Sequence, residues 1–463
     1  MMSKAATNFP RISQKNSRII SREEFEQHNT KDSCWIQIYD QVFDVTEWMR
    51  KHPGGERVIL CLGGRDATWN FIGNHHPEIA RKYLKTFYIG DLEANTNIDK
   101  NIDKRNKSII NDYVGLLNKF EKEGWFDTRA SYYIWKCTLV LILLFCALYA
   151  YYLSNKYNSV FIGILASMTM GIMWQQAAFI GHDLGHNAVF QSVFANRIFG
   201  LFEADILQGI SSSWWKYTHN VHHIRTNDLS FDPDIQHMPF LAITIEYFNN
   251  VYSKFHRKVL EYDAFAKILV KYQHIHYVPI IMCGRVFLYI QSFIYVFLNQ
   301  NHFGDGKRTR FHIRSDQICL ILFWCWMPAL FQSTLRPFLY FFIAHFTAGI
   351  LHIQIIANHF PCPVYTDIID DNFVTHQFKT SMAISSNWLT DWFHGGLQYQ
   401  VEHHLFPMMP RHNLKYVKPY LMEFCEKHKI EYLEDSLFGC VRQIYHILKR
   451  TAEGGKVIPL EFY

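Results

Sequence analysis

The chain has 463 residues, enough for more than one domain, with a net charge of +5 and ten cysteines. Lys and Arg gather beside apolar stretches, as at 254–258 and 307–310, which suits an anionic membrane surface and not a nucleic-acid groove, so no nucleic-acid partner is expected. There is no CxxC pair, zinc-like cysteine spacing or CxxCH haem attachment, and Cys137, Cys146, Cys319 and Cys325 lie inside apolar runs, so the cysteines read as small buried hydrophobes of a reducing compartment.

In chain order, residues 1–19 are polar and basic and are expected to be disordered. Residues 20–93 read as a soluble domain. Ser21-Arg22-Glu23-Glu24 has capping-box spacing for a short helix, Cys34 to Tyr39 alternates like a strand, and Gln41 to Val45 follows a tight turn. In His52-Pro53-Gly54-Gly55 the proline keeps His52 out of the helical region and the glycines allow a sharp turn, so the imidazole can project into a pocket. The run Gly63-Gly64-Arg65-Asp66-Ala67-Thr68, the pair His75-His76 and the closing Tyr88-Ile89-Gly90-Asp91 follow. With these motifs the whole segment resembles the cytochrome b5 family. The resemblance implies an α+β fold and a b-type haem with His52 as one axial ligand. The second ligand falls at His76, which is favoured, or one residue earlier at His75. Two axial imidazoles leave iron no open position, so such a domain would pass electrons and not bind oxygen.

Residues 94–125 open with a linker rich in Asn, Asp and Lys. An amphipathic stretch follows, Ile110 to Trp125, with Val114, Leu117 and Phe120 at helical spacing, expected to lie on the membrane. The first apolar run of spanning length begins near Trp135, so the part before it is expected to stay cytosolic. Runs 135–153 and 160–180 are joined by a polar turn and form a hairpin. Three more apolar stretches follow, at 277–298, 318–335 and 338–357. If all three crossed, histidines near 403 would sit on the opposite face from those at 182–223. The first carries Arg285 and Gln291, and a central Arg costs roughly 2.5–3.5 kcal/mol on insertion scales. The reading is therefore an all-α membrane domain over 126–463 with four spans, 135–153, 160–180, 318–335 and 338–357, and a cytosolic histidine-rich cap. Segment 277–298 is expected to lie at the interface or pack shallowly, and Trp214-Trp215-Lys216 reads as an interfacial anchor.

Three histidine clusters flank the apolar runs: His182 and His186; His219, His222 and His223; and His403 and His404 after Gln400. Spacings of three and four residues place two imidazoles on one helix face. Zinc is satisfied by about four ligands, so this nitrogen supply points to two metal ions, most plausibly redox-active iron. His345, His352 and His359 recur every seven residues, about 10 Å of helix, so they cannot share one centre. His359, nearest the cytosolic end and after Asn358, is assigned to the metal; the other two are expected to make core hydrogen bonds or to line a substrate path. Asp183 and Glu402 are candidates for orienting ligand imidazoles. His237, His256, His274, His312, His394 and His428 are read as ordinary polar residues.

The stretches His182-Asp183-Leu184-Gly185-His186, 214–223, 232–237, Asn358-His359 and 392–413 together resemble membrane front-end fatty acyl or sphingolipid desaturases with an N-terminal cytochrome b5 domain. The family implies two non-haem iron ions held by His182, His186, His219, His222, His223, His359, His403 and His404, with Gln400 as a weaker or indirect ligand. It further implies O2 as co-substrate, electrons from NADH through NADH-cytochrome b5 reductase, a lipid acyl substrate in the bilayer, and an endoplasmic-reticulum membrane protein with both termini and the active site cytosolic. A Δ6 or Δ5 polyunsaturated acyl substrate is the preferred expectation, with a Δ8 sphingolipid long-chain base as the alternative. A b5-fused lipid hydroxylase and a membrane haem protein that only carries electrons are the other readings.

Overall fold

The computed structural model describes residue 12 and residues 17–52, 54–75, 83–94, 100–298, 307–366, 372–388 and 390–454. His76 and most of the segment expected to be disordered lie outside them. In the first domain the strands Ile19–Ile20, Tyr88–Leu92, Gln41–Asp44, Ser33–Ile38 and Asn29–Thr30 are hydrogen-bonded in that order, and Arg65–Asp66 pairs with Ser33–Ile38. Ile19 already pairs with Asp91, one residue before the boundary read from the sequence. Ser21 caps the helix Arg22–Gln27 by accepting from the Glu24 amide, as the capping-box spacing predicts. Val42, Phe43 and Met49 are fully buried, so this small domain has its own core.

The stretch expected to lie on the membrane is the helix Lys100–Lys122. Its apolar face, with Ile109, Tyr113, Leu117 and Phe120, is buried against Val374, Phe406 and Leu414, so it packs on the histidine-rich cap and not on lipid. The amphipathic spacing was read correctly; the sequence does not say whether lipid or protein covers the apolar stripe.

Among the described residues three helices are long and apolar enough to cross a membrane, Ala130–Lys156, Val160–Gly185 and the continuous stretch Pro337–Ala357, or four if a bent helix pair is one span. Ile134, Phe145, Phe161 and Phe338 are exposed on them, Phe338 by 90%, which suits contact with acyl chains. The helix Lys307–Gln332, which contains most of the expected span 318–335, falls outside that set. It nevertheless ends at the same pole as the first hairpin turn: Asn155 donates to the Ser333 carbonyl at 2.7 Å, and Tyr340 approaches Ser154 at 3.2 Å.

The segment expected to pack shallowly is a helix pair, Gln273–Met282 and Gly284–Leu298, bent by 59° at Cys283. Arg285, just past the bend, is buried and donates to the Gln208 carbonyl and the Tyr289 hydroxyl, both at 2.9 Å, with its guanidinium over the Trp174 ring. Its charge is thus met by protein dipoles and π-density, and the sequence alone does not reveal those partners. The bent pair crosses the last apolar stretch at Gly349, where an added Cβ would overlap the Met282 carbonyl oxygen. Gly349→Val is therefore expected to cost about 1–3 kcal/mol through overpacking against backbone. A thermal-unfolding midpoint in detergent equal to that of the unaltered protein would count against this crossing.

Candidate metal centre

The cap is built from the ends of apolar helices and one long polar excursion between them. Val160–Gly185 delivers His182 and, at its C-cap, His186. Ser212–Ile224 carries His219, His222 and His223, Gln400–Leu405 carries Gln400, His403 and His404, and His359 follows Ile350–Ala357. Segments more than 180 residues apart in sequence thus converge.

Two groups of nitrogens result. His182, His186, His219 and His403 form one, and His222, His359 and His404 the other, each with its donor atoms within 4.8 Å of one another. His223 stands between them, with its Nε2 3.0 Å from that of His219 and 3.1 Å from that of His403, and its ring stacked on His404 at 4.2 Å. The Gln400 amide lies 3.0 Å from His359 Nε2 and 3.1 Å from His404 Nε2, which places it at the second group. Every histidine assigned to the metals from sequence, together with Gln400, is in this assembly.

Residues outside the two groups fix which nitrogen faces inward. His222 Nδ1 meets Asp232 at 3.0 Å, His404 Nδ1 meets Gln377 Oε1 at 2.8 Å, and His359 Nδ1 meets the Thr380 carbonyl at 2.9 Å. Each of these Nδ1–H groups donates outward, which leaves the Nε2 lone pair for the centre. Burial, reinforced by neighbouring imidazoles, holds His186, His219, His223, His403 and His404 well below the ordinary histidine range, and His359 down to about 3. At His222 burial opposes charge too, but Asp232 and Asp234 outweigh it and raise the group to about 9, so its Nε2 holds a proton that a bound cation would displace. Neutral nitrogens facing one another at 3.0–3.1 Å, with His186 Nε2 and Gln400 Oε1 lacking a hydrogen-bond partner among the described residues, are a donor set short of cations. The residues fit two metal ions.

The carboxylate partners were only partly legible. Asp183 faces Arg411 at 2.8 Å and the Tyr133 hydroxyl at 2.6 Å, with His182 farther off at 3.4 Å, and Glu402 accepts from Tyr432 at 2.7 Å, turned away from the ligand imidazoles. Asp232 and Gln377 do the orienting instead. Asp232 lies in the 232–237 motif, ten residues past His222, whereas nothing in the sequence marks Gln377. Trp215, read as an interfacial anchor, stacks on His219 at 4.2 Å and walls the site.

A cavity of about 1100 Å³ opens onto both groups, lined by His182, His219, His222, His359, Gln400 and His403, and extends along the apolar side of the bent helix pair past Val286, Phe287 and Ile290. His352 lines it too, while His345 is held in the core by the Phe341 carbonyl and Tyr289. The two expectations for these histidines divide between them. His237 and His256 also line the cavity, which their reading as ordinary polar residues did not anticipate.

In the first domain His52 faces His75, Nε2 to Nε2, at 3.4 Å. The favoured second ligand, His76, lies outside the described residues, and the residue opposite His52 is its alternative. His75 closes the helix Thr68–Asn74 and its Nδ1 meets the Phe71 carbonyl at 2.9 Å, which aims Nε2 at His52. A Cβ at Gly54 would press on the His52 ring, so the HPGG glycine is what lets that imidazole turn inward. His52 and His75 would hold the haem that the b5-like domain implies, and it would supply one-electron transfer.

The Fatty acid desaturase family model matches residues 158–436, and the Cytochrome b5-like Heme/Steroid binding domain matches residues 21–93. Delta(8)-fatty-acid desaturase 2 of Arabidopsis thaliana is 34% identical over 90% of this chain and 90% of its own. Delta 8-(E)-sphingolipid desaturase of Lachancea kluyveri is 35% identical over 84% of this chain and 66% of its own. Acyl-lipid (9-3)-desaturase of Borago officinalis is 33% identical over 94% of each.

Two outcomes follow from this geometry. Asp232→Asn removes the carboxylate behind His222 and is expected to weaken metal binding about 10–100-fold, seen as lost non-haem iron by elemental analysis of purified protein. His75→Ala is expected to abolish the low-spin haem absorbance while His76→Ala preserves it; the reverse pattern would restore His76 as the ligand.

Proposed function

Since the chain belongs to the fatty acid desaturase family and carries a cytochrome b5-like domain at its N-terminal side, we propose that it inserts the Δ8 double bond into the long-chain base of a sphingolipid. The observation that carries this reading is similarity to Δ8 desaturases from a plant, over 90% of each chain, and from a yeast, over 84% of this chain, in place of the Δ6 or Δ5 acyl expectation.

Unactivated methylene C–H bonds are beyond any acid–base pair, and two bound irons supply the oxidising chemistry with dioxygen. In this reading His182, His186, His219 and His403 hold one ion, and His222, His359 and His404 with Gln400 hold the other, His223 standing between. The cavity receives the lipid chain against these residues, and its apolar walls keep water from the reacting carbons. His52 and His75 hold the haem that relays electrons, with NADH-cytochrome b5 reductase as their source. Helices Ala130–Lys156, Val160–Gly185, Lys307–Gln332 and Pro337–Ala357 form the membrane bundle of an endoplasmic-reticulum protein whose metal groups face the cytosol. A chain that only carried electrons would have no use for the second, cavity-facing set of nitrogens.

The acyl reading is kept as the second because of the acyl-lipid relative from Borago officinalis. Expression in a yeast lacking Δ8-unsaturated bases, followed by double-bond location in both lipid pools, decides between them. New Δ8-unsaturated long-chain bases with unchanged acyl chains are expected. New acyl double bonds with unchanged bases would replace this reading by the acyl one, and a hydroxylated product would replace both.

A further inference from the structure

We infer that the b5-like domain delivers electrons from a fixed docked position on the outer face of the helix Ser212–Ile224, with Arg57 as the latch; this rests on the desaturase reading above. Arg57 is 5% exposed, and its guanidinium reaches out of its own domain to donate to the Tyr217 hydroxyl at 2.9 Å and the Lys254 carbonyl at 3.0 Å. Beside it Glu56 accepts from Arg257 at 2.8 Å. Gly55, at φ 96°, lies so close that an added Cβ would sit 3.3 Å from the Tyr217 ring. Ile224 and Phe231 pack into the apolar cluster of the b5-like domain, with Val58, Leu62 and Phe71. A buried guanidinium whose partners all lie across a contact is a costly arrangement unless that contact is the resting state.

The helix itself makes the position productive. Tyr217 and Ile224, seven residues apart, share one face, while His219 lies about 160° round from Tyr217 at 100° per residue. One face meets the b5-like domain and the other the metal groups, so the two are separated by a single helix, about 10 Å across. Both haem-side histidines sit next to the contact. The Gly55 amide donates to the His52 carbonyl at 3.0 Å, and Phe71, stacked on His75 at 4.5 Å, adjoins Asn70, which lines a small void with His223, Ile224 and His404. Delivery proceeds one electron at a time. The b5-like domain gives up two electrons in two passes. These two, two protons, and the two hydrogens with their two electrons taken from adjacent substrate carbons reduce one dioxygen to two waters and leave one C=C bond.

The test uses the full-length protein in lipid vesicles with NADH, the reductase and substrate. Arg57→Ala is expected to leave the haem spectrum and its rate of reduction unchanged. Re-oxidation of the haem during turnover is expected to slow roughly tenfold or more, so that the haem stands mainly reduced. Amide hydrogen exchange over 55–62 and 212–224 is expected to rise in the same variant, with or without metals bound. Glu56→Arg is expected to slow re-oxidation as well, and Glu56→Arg combined with Arg257→Glu to recover it. Unchanged re-oxidation and exchange in Arg57→Ala would overturn the docked pose. Should that variant fail to hold haem, the charge exchange decides alone: a double variant no faster than Glu56→Arg would overturn it.

Discussion

The structure depends on its histidine clusters meeting at one end of a bundle of apolar helices. Nitrogens from positions 182–223 and 403–404 can meet only if the chain between them returns to the side it left. The packing achieves this by bringing two turns to one pole: the turn after Ala130–Lys156 and the one before Pro337–Ala357, where Asn155 holds the Ser333 carbonyl and Tyr340 reaches Ser154. At the other pole the ends of Val160–Gly185 and Ile350–Ala357 release His182, His186 and His359 side by side. The bent pair 273–298 fits the same requirement. Its 59° break and the buried Arg285, satisfied from Gln208, Tyr289 and Trp174, belong to an element that turns beside the bundle and walls a cavity.

Once the imidazoles are together, burial sets their chemistry. A water-filled site would leave some of them protonated near neutral pH and useless as ligands. Here desolvation and mutual repulsion keep most of them neutral, while Asp232, Gln377 and the Thr380 carbonyl take the outward Nδ1 protons. The donor set is thereby assembled in the tautomers a cation requires. Behind His222 sit two carboxylates, Asp232 and Asp234, which outweigh its burial and raise it to about 9.

Much of this was legible because metal ligation and membrane crossing leave strong local patterns. Paired histidines at three- and four-residue spacing, Asn358-His359, and the HPGG turn each carry their own geometry, and all of them reach the assemblies expected of them. Legibility stops where a residue acts through a partner distant in sequence. Gln377 looks like any helical glutamine, and Arg285 like a barrier to burial, until His404 and Trp174 are seen beside them. Val114, Leu117 and Phe120 give the stripe on Lys100–Lys122 but not its covering, and His75 and His76 are separated only by where a short helix ends.

The helix Ser212–Ile224 ties these parts to a common depth. Its cap, Ser211, accepts from the Trp214 amide at 3.0 Å and donates to Asp316 at 2.5 Å, and Asp316 is paired with the buried Arg197. Asp316 belongs to Lys307–Gln332, so the start of the metal-bearing helix is pinned to that helix and cannot slide without breaking its hydrogen bonds to a buried ion pair. One turn on, the same helix meets Arg57 on one side and presents His219 to the cavity on the other. The position of the metal groups against the bundle is therefore fixed by the same contacts that fix their distance to the b5-like domain. A helix held rigid at its start to order the metal groups is also a firm platform on which the b5-like domain rests.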